Sequence, residues 1–506
     1  MWVTALTIIS IFAPLLQGVA NAEDASLYTP YLSARRLGEQ SVVRHWEWTT
    51  VVMDSSEGRG IQYDTNTGHF VLVAGKSYRI TAQLGWRYTS SYPNSHEQLN
   101  SIFFSFNLVN AKSGDEISPR AEAIGVGFIW PRVVSSGFLN MIYTPPESGE
   151  YYLRIRRTED QDSNTYLGDN FNIRADTSTY LNIVEMNDED NARQPLEYLS
   201  ARLHRPQTIS PEETWANKIV NIVGYVPEVK GNNMTFSPDQ GWFRLKGGVT
   251  YQITAQLGWG AKSWERYAFG LFNYDTGTHY GPLAEILPPS GSVQNVSGGV
   301  LDVIHTPEVD GKYCIRMSSN VKAGHLSNIR VDVGTVLNIV ALSRGRENAF
   351  VAAGFSNDKT ISRSETWANK NIVMDKITNH RGALAYDNKS GRFYLSNKET
   401  YRITAQLSWG LDSIGSRGDP FYYSYDYPRT FYAFGLFNVD TGEQIGPQAE
   451  VLYRVANTNN ASGGVLDVIF TPPTPGWYQL KTAPSVTADY YSKLRAASSY
   501  LTIVTL

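Results

Sequence analysis

Nine residues recur three times in this chain. Tyr78-Arg79-Ile80-Thr81-Ala82-Gln83-Leu84-Gly85-Trp86 returns at 251–259 with Gln252 at the place of Arg79. It returns again at 401–409 with Ser408 at the place of Gly85. The spacings, 173 and 150 residues, are domain-sized, which excludes small-repeat solenoids. Other blocks recur in the same order. Residues 268–277 match 433–442, and 298–304 match 463–469 and, more distantly, 137–142. Each repeat closes on an apolar run at 180–184, 336–340 or 500–504. The chain therefore divides into 28–184, 197–342 and 350–506, consistent with about three domains for 506 residues.

The repeated block alternates. Tyr78, Ile80, Ala82 and Leu84 lie on one face and Arg79, Thr81 and Gln83 on the other, the period of a half-buried strand. Turn signals such as 64–68, 275–277 and 144–149 separate the strands, and no segment of helical length has a 3.6-residue period. Abundant Tyr (31), Phe (20) and Gly (42) suit an all-β chain. The expected fold is three β-sandwiches in tandem.

Each repeat resembles the C1q/TNF-like jelly roll. The opening strand Tyr31-Leu32-Ser33-Ala34-Arg35-Arg36 is similar to that family's aromatic-x-Ser-Ala-Arg start, as is Tyr198-Leu199-Ser200-Ala201-Arg202. The third repeat has Phe350-Val351-Ala352-Ala353 there. Tyr63-Asp64-Thr65-Asn66-Thr67-Gly68-His69-Phe70, followed by Gly75 and Tyr78, is similar to the family's aromatic-Asp-x-x-x-Gly-x-Phe. Residues 386–393 repeat it, whereas 236–243 depart from it with Ser237 at the aspartate position. Gly149-Glu150-Tyr151 and Gly476-Trp477-Tyr478 resemble the Gly-x-Tyr strand near the domain's end. The resemblance implies three ten-stranded-type jelly rolls. Domains of this family normally trimerise, yet neither a collagen-like stem nor coiled-coil heptads are present. Three copies on one chain then imply an intramolecular pseudo-trimer, with 185–196 and 343–349 as joins. Those joins reach about 40 and 25 Å at roughly 3.3–3.6 Å per residue. Three beads on a string is the alternative.

The N-terminus indicates the compartment. Residues 1–22 read as a signal peptide: a short apolar core at 5–16 ends in Ala20-Asn21-Ala22, although no Lys or Arg precedes it. An uncleaved anchor is the other reading. No later stretch has the roughly 18 apolar residues of a membrane span. A secreted, extracellular protein is expected, with sequons at Asn233, Asn295, Asn388 and Asn460 open to glycosylation in a eukaryotic setting. A net charge of −4 argues against nucleic acid as a partner. The lone Cys314 excludes an intrachain disulfide. It lies out of phase with Tyr313 and Ile315 and is expected to face outward.

No catalytic constellation is legible: the eight His are scattered, and no nucleophile elbow or phosphate loop is present. An enzyme is not expected. The strand 300–304 is apolar on both faces except for Asp302, with Asp467 and Asn140 at the equivalent positions. Such a strand packs a core on one face and a neighbouring domain on the other. Its carboxylate must be hydrogen-bonded, paired or metal-bound, and two carboxylates with an amide near one axis would suit calcium. A local hydrogen bond is the simpler reading.

An insertion at 412–432 carries Tyr422, Tyr423, Tyr425 and Tyr427, and a related loop in the first repeat carries Tyr88 and Tyr92. Tyr/Ser-rich loops have the composition of a recognition surface. The expectation is a secreted, non-enzymatic recognition protein, lectin-like in binding an extracellular glycan or protein and with room for self-association. The rival is a structural extracellular protein, associated with matrix or mineral or forming a particle's surface spike.

Overall fold

The computed structural model describes residues 29–42, 47–88, 102–118, 120–125, 138–159, 171–173, 179–186, 197–203, 205–210, 216–220, 228–261, 267–286, 295–317, 327–329, 335–342, 349–361, 368–411, 431–452, 460–461, 465–482 and 492–506. The signal-peptide reading of 1–22, all of the two joins except 185–186 and 349, and Tyr92, Tyr422, Tyr423, Tyr425 and Tyr427 lie outside them. Among the described residues the protein is all-β and antiparallel, with one 3-10 turn at Ala496–Ser498. Among the described residues no helix is long and apolar enough to cross a membrane.

Strand pairing stays within each repeat. In the first, Tyr31–Arg35, Tyr180–Glu185, Tyr78–Gln83 and Phe138–Tyr143 follow one another across one sheet. A second sheet runs Thr49–Thr50, Gly149–Glu159, Ile102–Asn110 and Ala121–Gly125, with His69–Leu72 also paired to Gly149–Glu159. The third repeat has the corresponding sheet order Phe350–Gly354, Tyr500–Thr505, Tyr401–Gln406 and Val465–Phe470. In the second repeat Tyr198–Arg202, Val336–Ala341, Tyr251–Ala261 and Asn295–His305 pair in that order.

Between the facing sheets of each repeat lies a separate apolar core. Leu32, Ile80, Met141 and Ile183 meet Phe106, Leu108, Tyr151 and Leu153 in the first. Equivalent sets fill the second and third. Burying a Leu, Ile or Phe side chain is worth about 1.5–3 kcal/mol, so these clusters are the main stabilising element of each repeat.

The turn preceding the His69–Leu72 strand shows why its motif takes its form. Asp64 accepts hydrogen bonds from the Asn66 amide and the Thr67 hydroxyl, and the Gly68 amide closes onto the Asp64 carbonyl. Gly68 has φ 77°, and a Cβ there would stand 2.5 Å from the Val51 carbonyl oxygen. Asp387, Ser390 and Gly391 repeat the arrangement. The second repeat retains Gly241 at φ 68° without the aspartate.

Two expectations need correction. The strand Tyr78–Gln83 is not half-buried: all six residues are buried, as in Tyr401–Gln406. Cys314 does point out of the core-facing register, but it is fully buried. Its cross-strand neighbours are Trp242 and Phe272, capped in turn by Lys312 and Arg316. The outward face of that sheet has an aromatic roof there, which alternation alone does not reveal.

Candidate functional site: a buried polar axis

The second face of the repeated strand is covered by the other repeats. Register aligns three layers in each repeat. In the first repeat Ile142, Arg79 and Val184 form one layer, Asn140, Thr81 and Asn182 the next, and Phe138, Gln83 and Tyr180 the last. The second repeat supplies Ile304, Gln252 and Val340, then Asp302, Thr254 and Asn338, then Val300, Gln256 and Val336. The third supplies Ile469, Arg402 and Val504, then Asp467, Thr404 and Thr502, then Val465, Gln406 and Tyr500. Every one of these residues is buried.

Hydrogen bonds tie the layers together across repeats. Arg79 reaches Gln252 Oε1 at 2.7 Å and Thr254 Oγ1 at 3.3 Å. Asn140 donates to Thr254 at 3.1 Å, and Asn182 donates to the Asp467 carbonyl at 2.8 Å. Thr81 donates to Asp467 Oδ2 at 2.6 Å, while Arg402 grips both oxygens of that carboxylate at 2.8 and 2.9 Å. Asp302 accepts from Gln252 Nε2 through both of its oxygens, at 3.0 and 3.1 Å. The layers are flanked by apolar contacts that mix repeats: Phe138, Tyr180, Val300 and Val465 at one end, and a larger group including Ile142, Tyr198, Ile304, Phe350 and Val504 at the other.

The contacts at that second end run in a cycle. Tyr198 and Glu228 of the second repeat bond the Ser77–Thr144 hydroxyl pair of the first. Tyr31 and Arg59 of the first repeat bond Thr471 and Thr400 of the third. Asn379 of the third repeat meets Thr306 of the second, itself paired with Thr250. Each repeat thus offers an equivalent hydroxyl pair; the first two read their neighbour's with the equivalent Tyr31 and Tyr198, and the third, which has Phe350 there, reaches it with Asn379.

The charges are unequal partners. Burial alone would raise the Asp467 carboxyl, but Arg402, Thr81 and Arg79 outweigh it and hold it below the usual carboxylate range. Arg402 is correspondingly shifted up: Asp467 overcomes the cost of its burial. Asp302 is different. Burial pushes it up to about 6, and Arg79, Arg402 and its Gln252 bonds only partly oppose this. Arg79 is drawn down to about 9 by burial and by repulsion from Arg402. Arg402–Asp467 is a matched ion pair, whereas Arg79 and Asp302 compensate one another poorly.

The structure places Asn140, Asp302 and Asp467 at equivalent positions of the middle layer: Thr254, Arg79 and Gln252 link Asn140 to Asp302, while Asp467 is held by Arg402, Thr81 and Thr404. The donor set does not fit calcium. Two guanidiniums share the site, Asp467 is engaged by Arg402, and calcium takes six to eight oxygens. Among the described residues no group of three His, Cys, Asp or Glu could hold a metal ion. Tyr88 ends the strand Trp86–Tyr88 opposite Phe171. Asn388 is exposed in its turn, and half-buried Asn233 bonds Glu197 through its amide, while Asn295 and Asn460 begin strands. Arg79, Arg402 and the three glutamines are central residues that the alternation reading placed on the polar face without a partner. Their signal was the doubly apolar strand beside them, which already called for a neighbour.

No protein-family model matches the chain, and no curated protein does. Solved structures offer faint likenesses. One is the M60 catalytic domain with the CBM51-1 and CBM51-2 domains from Clostridium perfringens ZmpB, at 8% identity and TM-score 0.13, over 85% of this chain and 55% of that chain. Another is infectious bursal disease virus Gx strain, at 11% identity and TM-score 0.11, over 62% of this chain and 71% of that chain. This chain thus matches about half the length of the first. Neither likeness carries an argument about fold or function.

Proposed function

We propose that this chain is a secreted, non-enzymatic recognition protein whose three C1q/TNF-like jelly rolls close into a single-chain pseudo-trimer and bind an extracellular glycan or protein through loops at one end. The observation that carries this reading is the cycle of contacts around a shared buried axis, with each repeat reading the one before it and the first reading the third. The acids and bases of that axis are engaged with one another and sealed from solvent, which suits a scaffold better than a catalyst. Binding is assigned to the glutamine end. The segments after Tyr88, Ala261 and Leu411 all leave from there, at the far ends of equivalent strands. Two of them hold the tyrosine-rich sequences.

The test is a glycan and protein array probed with the secreted protein, followed by replacement of Tyr422, Tyr423, Tyr425 and Tyr427 with Ser. Loss of a saturable ligand at unchanged melting temperature supports recognition through this loop; hot-spot tyrosines typically contribute about 2 kcal/mol or more each. Unaltered binding removes the loop from the proposal. Recovery only in insoluble assemblies, with no ligand, favours the structural rival. Small-angle scattering checks the architecture: a compact monomer is expected, and a string-like envelope or a trimer of chains would overturn it.

A further inference from the structure

The glutamine layer is chemically unfinished. Gln256 and Gln406 are at most 1% exposed, and neither their amide nitrogens nor their oxygens have a hydrogen-bond partner among the described residues. This holds whichever way either amide is turned, since both ends are bare. In the arginine layer, beyond the threonines, Nε of Arg79 and Nη1 of Arg402 are likewise buried and unbonded. Each unmade bond in a protein interior leaves the desolvation of its group uncompensated, most of all for a charged donor.

Position joins these atoms. The guanidinium heads lie level with the threonines: Arg79 bonds Thr254, and the carboxylate held by Arg402 also accepts from Thr81 and Thr404. One residue pair further along the same strands come Gln83, Gln256 and Gln406. Around them stand Phe138, Val300, Val336, Val465, Tyr180 and Tyr500. The tyrosine hydroxyls already have acceptors: Tyr180 has the Val465 carbonyl and Gln83 Oε1, each at 3.3 Å, and Tyr500 has the Val300 carbonyl at 3.4 Å. The unbonded atoms include four donors, two of them cationic, within an apolar wall.

We propose that the glutamine layer and the two guanidiniums beneath it form a buried site for a small monovalent anion of chloride's size. The amide nitrogens of Gln256 and Gln406 donate to the anion, and Arg79 and Arg402 supply the field that holds it. A cation would be repelled by the two guanidiniums. The wall of Phe138, Val300, Val336 and Val465 offers no further donors to a polyatomic anion such as sulfate. The site depends on the contacts between repeats described above and not on the recognition loops, so a failed ligand screen leaves it standing.

Two measurements test it on the whole protein. The first refolds the protein at constant ionic strength in mixtures of sodium chloride and sodium gluconate. A ligand that binds only the folded state stabilises it by RT ln(1 + [L]/Kd), so melting temperature should climb with each tenfold rise in chloride. The Gln256→Met/Gln406→Met variant, which keeps side-chain length and removes both amides, should lose that dependence. Equal melting temperatures across the wild-type series overturn the proposal, as does dependence on the cation when sodium is exchanged for choline. The second needs no variant: protein crystallised from bromide should give an anomalous peak beside Gln256 and Gln406. Density without an anomalous signal identifies ordered water and also overturns the proposal.

Discussion

Thr81 donates its hydroxyl to the carboxylate of Asp467 at 2.6 Å, across 386 residues of chain. Through that bond the first repeat helps hold the ion pair of the third. Without it the carboxylate would keep only Arg402 and a longer bond from Thr404, at 3.3 Å, in a site closed to solvent.

Removing one member of this pair should therefore be costly. Asp467→Asn leaves Arg402 charged and poorly compensated, for an expected loss of about 3–5 kcal/mol by chemical denaturation. Replacing both, as Arg402→Met with Asp467→Leu, should recover most of it. If the double variant is as unstable as the single one, the pair is not the dominant interaction at that position. Melting temperatures in calcium and in chelator should coincide for the wild-type protein.

Asp302 gives the opposite pH response. Its folded-state pKa lies above the unfolded value of 3.8, at about 6, chiefly through burial. A raised carboxyl contributes stability that is fully present below the unfolded value and is lost as pH rises through the folded one. Wild type should thus gain on the order of 2–3 kcal/mol relative to Asp302→Asn between pH 7 and pH 4, since a tenfold change in proton affinity corresponds to about 1.4 kcal/mol. Asp467, shifted down, contributes stability that is present above 3.8 and is lost as pH falls through its folded value. A difference between wild type and Asp302→Asn that stays flat from pH 7 to pH 4 would contradict the placement of Asp302.

His305 opposes Asp302 over much of that range. It stands where the other repeats have Tyr143 and Phe470, against Tyr280 at 4.5 Å and Tyr313 at 5.0 Å, with Nε2 unbonded among the described residues. Burial lowers it from 6.5 to about 4. A lowered histidine contributes stability that is present above 6.5 and lost as pH falls toward 4. His305→Phe should remove this loss and flatten the acid limb of the melting curve. Unchanged acid sensitivity would mean that the ring is solvated.

Much of this was readable from the chain, for identifiable reasons. Repetition exposed the strands, and the equivalence of Asp302, Asp467 and Asn140 pointed to one locus. Arg79 and Gln83 were harder. Alternation says which side chains share a face, not what covers that face, and an arginine on a strand usually meets water. The partner that covers it lies in another repeat, hundreds of residues away. Cys314 misled for a related reason, since Trp242 and Phe272 are adjacent to it only through pairing.

Cys314 supplies a fourth expectation. Burial pushes its thiol up to about 11. Native protein should resist alkylation at pH 8, with labelling appearing only as denaturant unfolds the second repeat. Rapid labelling without denaturant would show the aromatic roof to be open, and disulfide-linked dimers should not form while it is closed.

The cycle of contacts has a temporal side. The first repeat is read by the second but itself reads the third, so its Arg79, Thr81 and Tyr31 cannot be fully enclosed until the last strand, Tyr500–Thr505, has been made. During synthesis the N-terminal repeat must wait with a polar, partly apolar face open, and the second with Asp302 exposed beside Ile304. Premature association of two nascent chains through those faces competes with completion. Ribosome-arrested chains ending before residue 350 should therefore bind holding chaperones that release once the full length is reached.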